Sequence, residues 1–273
     1  MRLLGAGDNV VDRYLDDGLM FPGGNAVNVA VHARRLGAES AYCGVLGSDA
    51  AGDLVYRALR EEGVLLERLR RVDGPNAYAN VQLVNGDRSF VGSDRGVAEF
   101  RLDETDFDYA GAFDIVHTAY SGTLTSDIPR LAERSRVSFD FSYRRDAEYR
   151  DAILPHLFLA TFSGSDLSDS EIDAVLSHAH DAGAEHTLVT AGERGAYLVN
   201  GCGDRLHRPA EPTEVVDTMG AGDAFIAALL IQLFSGASMF EALTHATANA
   251  ALACRERGGW GHQESFIQKG SSL

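Results

Sequence analysis

The segment 217–223, Asp-Thr-Met-Gly-Ala-Gly-Asp, places two glycines and a carboxylate immediately before the apolar run 224–234. The run predicts a helix, and Gly220 and Gly222 permit backbone geometries that other residues avoid. At the positive end of such a helix the N–H groups around Gly220, Ala221 and Gly222 can converge on an anion. The spacing therefore suits binding of a transferring phosphoryl group.

Asp223 is the last residue of this segment and puts a negative charge beside the predicted anion site. A carboxylate there opposes a bound phosphate unless it receives a proton from an attacking hydroxyl, which makes Asp223 a candidate general base. The alternative from spacing alone is that Asp223 only caps the helix and that the glycines only form a turn.

A second segment, Gly-Gly-Asn-Ala-Val-Asn at 23–28, opens an amphipathic helix. Asn25 and Asn28 are three residues apart, so both amides lie on one face of the first turn and could bond a polyol's hydroxyls. Alternatively, Asn25 is a cap and Asn28 a satisfied interior polar group. Asp12, acidic at a strand end, is either a further sugar ligand or a solvated loop carboxylate.

The turn at 190–195 follows a buried strand and contains Thr190 and Gly192. Its glycines allow the close approach of a flat or phosphorylated ligand, so Thr190 and Gly192 are candidate nucleotide contacts. A β-turn leading into the strand 196–199 would need the same glycines.

Composition excludes several classes of protein. The chain has 273 residues, 45% of them hydrophobic, and a net charge of −16, which predicts a large core and disfavours nucleic acids and anionic membranes as partners. The only lysine, Lys269, is near the carboxyl end, which excludes a P-loop, a protein kinase and Schiff-base chemistry. Three widely spaced cysteines and the absence of a long apolar run predict a cytoplasmic protein.

Short apolar runs alternate with segments of helical period, which indicates an α/β fold with a mostly parallel central sheet. Buried strands are predicted at 2–6, 41–46, 115–119, 137–141, 159–162 and 186–190. The segments 77–83 and 88–92 predict a hairpin around Asn85-Gly86. We expect one domain over 1–273, in which the lid segments 11–21, too polar for a core, and 75–95 form a small β lid.

The Gly-Gly-Asn segment and the Asp-Thr-Met-Gly-Ala-Gly-Asp segment together resemble the paired signatures of the ribokinase-like, or PfkB, carbohydrate kinases, in their order and spacing. The phrases at 7–12, 23–31 and 217–223 look most like the subfamily that phosphorylates fructoselysine. The resemblance implies a three-layer α/β/α fold. It also implies transfer of the γ-phosphoryl group of ATP, with Mg²⁺, to a primary hydroxyl of a sugar or glycated amino acid.

The resemblance also implies roles for individual residues. Asp223 is then the base, and Gly220, Ala221 and Gly222 form the anion hole. The resemblance implies Asp12, Gly24 and Asn28 at the sugar, where the spacing of the asparagines adds Asn25 and the place of Arg88 beside the hairpin adds Arg88. Four are implied at ATP, namely Thr190, Gly192, Gly195 and Thr218. Arg88 and Arg95 flank the hairpin and could meet a substrate carboxylate.

One departure from the family concerns the metal. An Asn-x-x-Glu motif is common in the family, whereas the matching stretch here, 162–168, reads Phe-Ser-Gly-Ser-Asp-Leu-Ser. Asp166 could act through water, or Mg²⁺ could depend on the nucleotide's oxygens, so no metal ligand is assigned. The cluster 258–261 is either a turn that packs Trp260 or the family's loop for a monovalent cation such as K⁺, with Asp217 contributing.

Several further interpretations stay open. Arg144 and Arg145 are either a phosphate clamp or surface arginines. His178 and His180, two apart on a helix, point to different faces and favour a surface helix over a metal site. Apolar positions in the lid, Val81, Leu83 and Phe90, favour a homodimer formed through the lid. The alternatives to a fructoselysine kinase are another sugar or nucleoside kinase of the family, or a non-catalytic sugar-binding protein.

Overall fold

The computed structural model describes residues 1–84 and 87–266, with the backbone alone at 83, 84, 87 and 88. The turn residues Asn85 and Gly86, Lys269, and the side chains of Leu83 and Arg88 therefore lie outside the described part. In the described ranges no helix is long and apolar enough to cross a membrane.

A nine-stranded sheet forms the centre of the fold. Its strands are β1 (Arg2–Ala6), β4 (Glu39–Leu46), β5 (Leu65–Arg71), β8 (Ile115–Ala119), β9 (Arg136–Asp140), β10 (Leu159–Ser163), β11 (His186–Thr190), β12 (Ala196–Val199) and β13 (Arg205–Arg208), in the order β13-β12-β11-β10-β9-β8-β1-β4-β5. From β5 to β11 all neighbours are parallel, and β12 and β13 are antiparallel. All six strands predicted from apolar runs are present, because parallel strands covered on both faces need continuous apolar sequence.

Helices cover both faces of this sheet. They are α1 (Asn25–Arg35), α2 (Ala50–Glu61), α3 (Glu104–Ala110), α4 (Ile128–Ala132), α5 (Ala147–Asp151), α6 (Asp169–Asp181), α7 (Ala221–Phe234) and α8 (Met239–Ala253). Leu3 packs with α1, α2, α7 and α8 in one core, whereas its neighbour Leu4 packs with α3, α4 and α6 in the other. Adjacent residues of a strand point to opposite faces, so β1 contributes to both cores. The three-layer α/β/α expectation is confirmed.

A separate sheet of five strands, called the small sheet below, contains β2 (Val10–Tyr14), β3 (Leu19–Gly23), β6 (Tyr78–Val84), β7 (Asp87–Asp94) and β14 (Glu264–Ser265), in the order β14-β3-β2-β6-β7. The two strands predicted around Asn85-Gly86 are β6 and β7. The expectation that 11–21 is too polar for a core is wrong, because Val11, Tyr14, Met20 and Phe21 are all buried. Their apolar partners come from other parts of the chain, so the segment's own composition does not show its burial.

The parallel strands bring polar residues to one edge of the central sheet. Asp8 follows β1, Asp140 ends β9 and Thr190 ends β11. Carboxyl ends of parallel strands lie at the same edge, where α/β proteins form their sites. The start of α7 and the small sheet complete this region, which is described next.

Candidate active site

Helix α1 begins beside a carboxylate from another element. Its N-cap is Gly24, and Asp8 accepts hydrogen bonds from the backbone N–H of Asn25 at 2.9 Å and of Ala26 at 3.2 Å. Ser121 Oγ donates to the same carboxylate at 2.9 Å. The capping group is thus Asp8, not Asn25, which leaves the Asn25 side chain free to point into the site.

Asp223 lies in the first turn of α7 and faces α1. Its two carboxylate oxygens accept hydrogen bonds from Asn25 Nδ2 and Asn28 Nδ2, each at 2.7 Å. The N-cap of α7 is Gly220, so the alternative in which Asp223 merely caps the helix is wrong. The three-residue spacing of the asparagines lets two amides of one helix hold a carboxylate of another.

Asn25 joins Asp223 to a second carboxylate and to a histidine. Its Nδ2 donates to Asp140 Oδ2 at 2.8 Å, and its Oδ1 lies 2.7 Å from His117 Nε2. Burial lowers the pKa of His117 to about 3, so the ring is neutral at physiological pH. With Nε2–H donating to Asn25, Nδ1 accepts from Ser138 Oγ at 2.9 Å, and the amide of Asn25 has one defined orientation.

The carboxylates of the site disfavour one another's ionisation. Burial raises the pKa of Asp223 well above its ordinary value, and Asp140, Asp8 and Asp12 raise it further, against the bond from Asn28. Burial together with Asp8 raises the pKa of Asp140 to about 6, against the hydrogen bonds from the Ser142 N–H and Asn25. A carboxylate with a raised pKa is a stronger proton acceptor, which suits Asp223 to general-base catalysis.

The start of α7 has backbone N–H groups without an intrahelical acceptor beside the open space at Gly222. Gly220 has φ 74°, and a Cβ there would lie 2.7 Å from Gly259 Cα, so only glycine fits. A Cβ on Gly222 would meet no heavy atom within 4 Å. Ala221 N–H reaches Thr218 O at 3.3 Å, while the next N–H groups of a first turn have no intrahelical acceptor. This end of α7 can receive an anion.

Asp217 anchors the turn before α7. Its carboxylate accepts from Tyr14 Oη at 2.6 Å, from the Gly258 N–H at 3.1 Å and from the Met219 N–H at 2.7 Å. These bonds tie the turn to the small sheet and to the loop 258–261. In this structure Asp217 thus has a connecting role, whereas its predicted contribution to a K⁺ site stays a prediction.

Asp12 and Gly24, both predicted at the sugar, lie beside the asparagines. Asp12 is 3% exposed on β2, so the alternative of a solvated loop carboxylate is wrong. Gly24 has φ 109°, and a Cβ there would come within 2.6 Å of Asn9 Cα, which brings the start of α1 against the residues after β1. The side chain of Arg88, on β7, lies outside the described part.

The residues predicted at ATP occupy the turn after β11 and the turn before α7. Gly195 is explained by packing, because a Cβ there would lie 2.0 Å from Arg208 O. Gly192 has φ 58°, and a Cβ would meet only Ser165 Cβ at 3.9 Å, so space for a ligand remains. Thr190 is half-buried at the end of β11, and Thr218 is exposed.

The two arginines after β9 are held by acidic neighbours. Arg145 bonds Asp166 at 2.7 and 2.9 Å, and Arg144 bonds Asp146 at 3.0 Å while lying over the Tyr149 ring. Asp166 is thus paired with an arginine, so both the phosphate clamp and the water-mediated metal role would require these pairs to open. His178 bonds Asp151 at 2.6 Å on the surface of α6, in agreement with a surface helix.

Sequence reasoning missed four residues of the site: Asp8, His117, Asp140 and Trp260. Asp8 and Asp140 follow or end predicted strands, a position that could have singled them out. His117 lies within β8, and Trp260 is predicted only as a residue that the turn 258–261 packs. The order of strands and the packing of the loop 258–261 against α1 bring these residues to Asn25 and Asn28.

Comparisons with known proteins identify the family and the fold of this chain. The pfkB family carbohydrate kinase model matches residues 8–262. The fructosamine kinase FrlD of Bacillus subtilis is 40% identical over 96% of this chain and 94% of its own length, and the fructoselysine 6-kinase of Escherichia coli is 34% identical over 93% and 97%. Fructokinase with bound ATP from Xylella fastidiosa, 22% identical, superposes with a TM-score of 0.80 over 96% of this chain and 94% of that one, which shows a shared fold.

Proposed function

This chain belongs to the pfkB family of carbohydrate kinases, and on that premise we propose that it phosphorylates a ketoamine sugar, with fructoselysine as the acceptor and fructoselysine 6-phosphate as the product. The observation that carries the proposal is the Asp223 carboxylate, held by Asn25 and Asn28 at the open amino end of α7. The choice of acceptor is supported by the names of the two relatives at 40% and 34% identity.

The chemistry follows from the position of Asp223. As the primary hydroxyl oxygen of the acceptor attacks the γ-phosphorus of ATP, the hydroxyl proton passes to Asp223 Oδ. The new oxygen–phosphorus bond forms while the bond to the β-phosphate oxygen breaks, and ADP leaves. The predicted anion hole of Gly220, Ala221 and Gly222 changes in this proposal, because the Ala221 N–H already bonds Thr218 O. The N–H groups at Gly222 and Asp223 instead face the transferring group and stabilise its negative charge.

The remaining site residues bind and orient the acceptor in this proposal. Asp12, Gly24 and the asparagines line the sugar side, while a contact of Arg88 with the carboxylate of the glycated amino acid stays a prediction from the sequence. The carboxylates Asp8, Asp12 and Asp140 produce a negative field, which favours an acceptor that carries a protonated amine. A ketoamine has such an amine, whereas fructose and ribose have none.

ATP binds in this proposal along Thr190, Gly192, Gly195 and Thr218. Among the described residues no group of three or more His, Cys, Asp or Glu side chains could hold a metal ion. A Mg²⁺ ion that binds through nucleotide oxygens and water needs few protein ligands. We assign no metal ligand, and we derive no step through Mg²⁺ or K⁺.

We further propose that the small sheet acts as a lid, that two copies pair through it, and that the protein works in the cytoplasm. Phe90, 65% exposed, and Val91 lie on β7, the edge strand of the small sheet. An exposed apolar edge strand is a surface for pairing with another copy.

The test is ATP consumption by the purified protein with Mg²⁺ and each of four acceptors, fructoselysine, fructose, ribose and adenosine. We expect selective turnover of fructoselysine and a loss of about 10²–10⁴-fold in kcat for Asp223→Asn, because the proton acceptor is removed. The exposed Asp181→Asn on α6 is the matched control and should keep wild-type turnover.

Each other outcome selects a different conclusion. Selective turnover of another acceptor would keep the mechanism and discard the ketoamine. Full activity in Asp223→Asn would overturn the base assignment. Sugar binding without ATP turnover by the wild type would identify a non-catalytic sugar-binding protein.

A further inference from the structure

Trp260, the single tryptophan of the chain, is fully buried beside the proposed base. Its Nε1–H donates to Asn28 Oδ1 over 2.8 Å, and Asn28 Nδ2 donates to Asp223 Oδ2 over 2.7 Å. An indole N–H can only donate, so the oxygen of the Asn28 amide faces Trp260 and its nitrogen faces Asp223.

We infer that Trp260 is a positioning residue: its N–H fixes the orientation of the Asn28 amide, which in turn holds the Asp223 carboxylate. Without the indole N–H, the amide could rotate and present its oxygen to Asp223, where two acceptors would repel each other. The kinetic consequence rests on the proposed function, whereas the chain of hydrogen bonds rests on geometry alone.

The loop that carries Trp260 is held firmly against α1. His32 Nε2 lies 3.0 Å from Gly259 O, and Arg35 donates to Trp260 O at 2.8 Å while it pairs with Glu62 at 2.7 Å. Burial lowers the pKa of His32 to about 4, so a neutral ring donates to the carbonyl at physiological pH. The indole therefore has little freedom to leave Asn28.

Acidic groups face Asp223 from several elements. Asp8 after β1, Asp12 on β2 and Asp140 on β9 each raise its pKa, and the bond from Asn28 lowers it. His117 on β8 is neutral and acts through Asn25. Loss of the oriented bond from Asn28 would therefore raise the pKa of Asp223 further and move the acidic limb of activity to higher pH.

The experiment replaces the indole N–H group of Trp260. Because the chain has a single tryptophan, growth on benzothienylalanine changes only position 260 and puts sulfur in place of the N–H within a ring of similar shape. Incorporation of 5-fluorotryptophan is the matched control, since it keeps the N–H. A thermal unfolding midpoint for each protein checks that the packing is kept.

We expect the benzothienyl protein to lose about tenfold in kcat at pH 7, because the amide of Asn28 then no longer holds its hydrogen bond to the charged Asp223. The acidic limb of its pH–activity profile should move to higher pH. The fluorotryptophan protein should have the kcat and the pH profile of the wild type. Asn28→Ala should by itself lower kcat. Adding the benzothienyl replacement to that variant should lower kcat no further, because the two changes act through the same hydrogen bond to Asp223.

A titration of Asp223 that needs no ATP turnover tests this inference independently of the proposed function. In ¹³C-aspartate-labelled protein the carboxyl signal of Asp223, assigned by its loss in Asp223→Asn, should titrate at higher pH in the benzothienyl protein. Identical titrations in the benzothienyl and fluorotryptophan proteins would overturn the inference. Absence of ATP turnover in all three proteins, with the shifted titration present, would overturn only the proposed function.

Discussion

Two carboxylates, Asp140 and Asp223, share the NH₂ group of one asparagine. Asn25 Nδ2 lies 2.8 Å from Asp140 and 2.7 Å from Asp223, so each N–H serves one carboxylate. Both acids are held where burial disfavours their charged forms. An arrangement of this kind lowers stability at neutral pH and is typical of a functional site.

At the residue scale we predict that Asp140→Asn removes part of the pH dependence of stability. Because the folded pKa of Asp140 is raised from 3.8 to about 6, its favourable contribution is fully present below the unfolded pKa and is lost as the pH rises through about 6. The free energy of unfolding of the variant, relative to the wild type, should therefore increase from about pH 4 to about pH 7. Urea denaturation at each pH measures it, and a constant difference would contradict the pKa shift.

The two glycines at the amino end of α7 have different structural roles. Gly220 has φ 74° and lies directly against Gly259, so a side chain is excluded by the fold. Gly222 is a helical residue whose missing Cβ faces open space. The first turn of a helix has N–H groups without intrahelical acceptors. Gly220 allows the backbone turn that precedes them, and Gly222 leaves open space beside them.

At the element scale we predict opposite effects of alanine at these positions. Gly222→Ala should keep or raise the free energy of unfolding by up to about 1 kcal/mol, since alanine favours helices, yet lower kcat/KM for ATP by about tenfold or more because the methyl group meets the phosphoryl group. Gly220→Ala should lower the free energy of unfolding by at least about 1–2 kcal/mol. Denaturation curves and kinetics for both variants test this, and unchanged kinetics in Gly222→Ala would argue against the anion site.

At the scale of the whole molecule, the small sheet is bonded to the turn 217–220 before α7. Tyr14 Oη donates to Asp217 at 2.6 Å, and Arg257 pairs with Asp17. Tyr14, Phe21 and Val81 share a small apolar cluster with Met219 in the same turn. A movement of the small sheet would therefore displace the turn before α7. The outer edge of the small sheet, at β7, is not involved in these contacts.

We predict that Phe90→Lys converts a dimer into a monomer, because a charge replaces an exposed aromatic side chain on the edge strand. Light scattering at several protein concentrations measures the mass. Leu65→Lys is the matched control, since Leu65 is a partly exposed apolar residue on β5, the edge of the central sheet, and should keep the wild-type mass. A monomeric wild type would contradict pairing through the small sheet.

Local sequence was sufficient for the six apolar strands, the hairpin β6–β7 and the helix start at 217–223, but not for β2, β3, β5, β13 and β14. Buried parallel strands need continuous apolar residues, so runs such as 115–119 and 186–190 predicted β8 and β11 without knowledge of their neighbours. The glycines and acid of 217–223 predicted a helix start with an anion-binding end and a candidate base, because capping and backbone freedom depend on a few adjacent residues.

Only the tertiary structure decided which residues meet Asp223. Asn25, Asp140 and Trp260 are far apart in the chain, and their contacts depend on strand order and on the packing of the loop 258–261 against α1. The same holds for the burial of 11–21, whose apolar partners lie in other segments. Hydrogen bonds and burial between distant residues depend on three-dimensional proximity, which no spacing along a single sequence specifies.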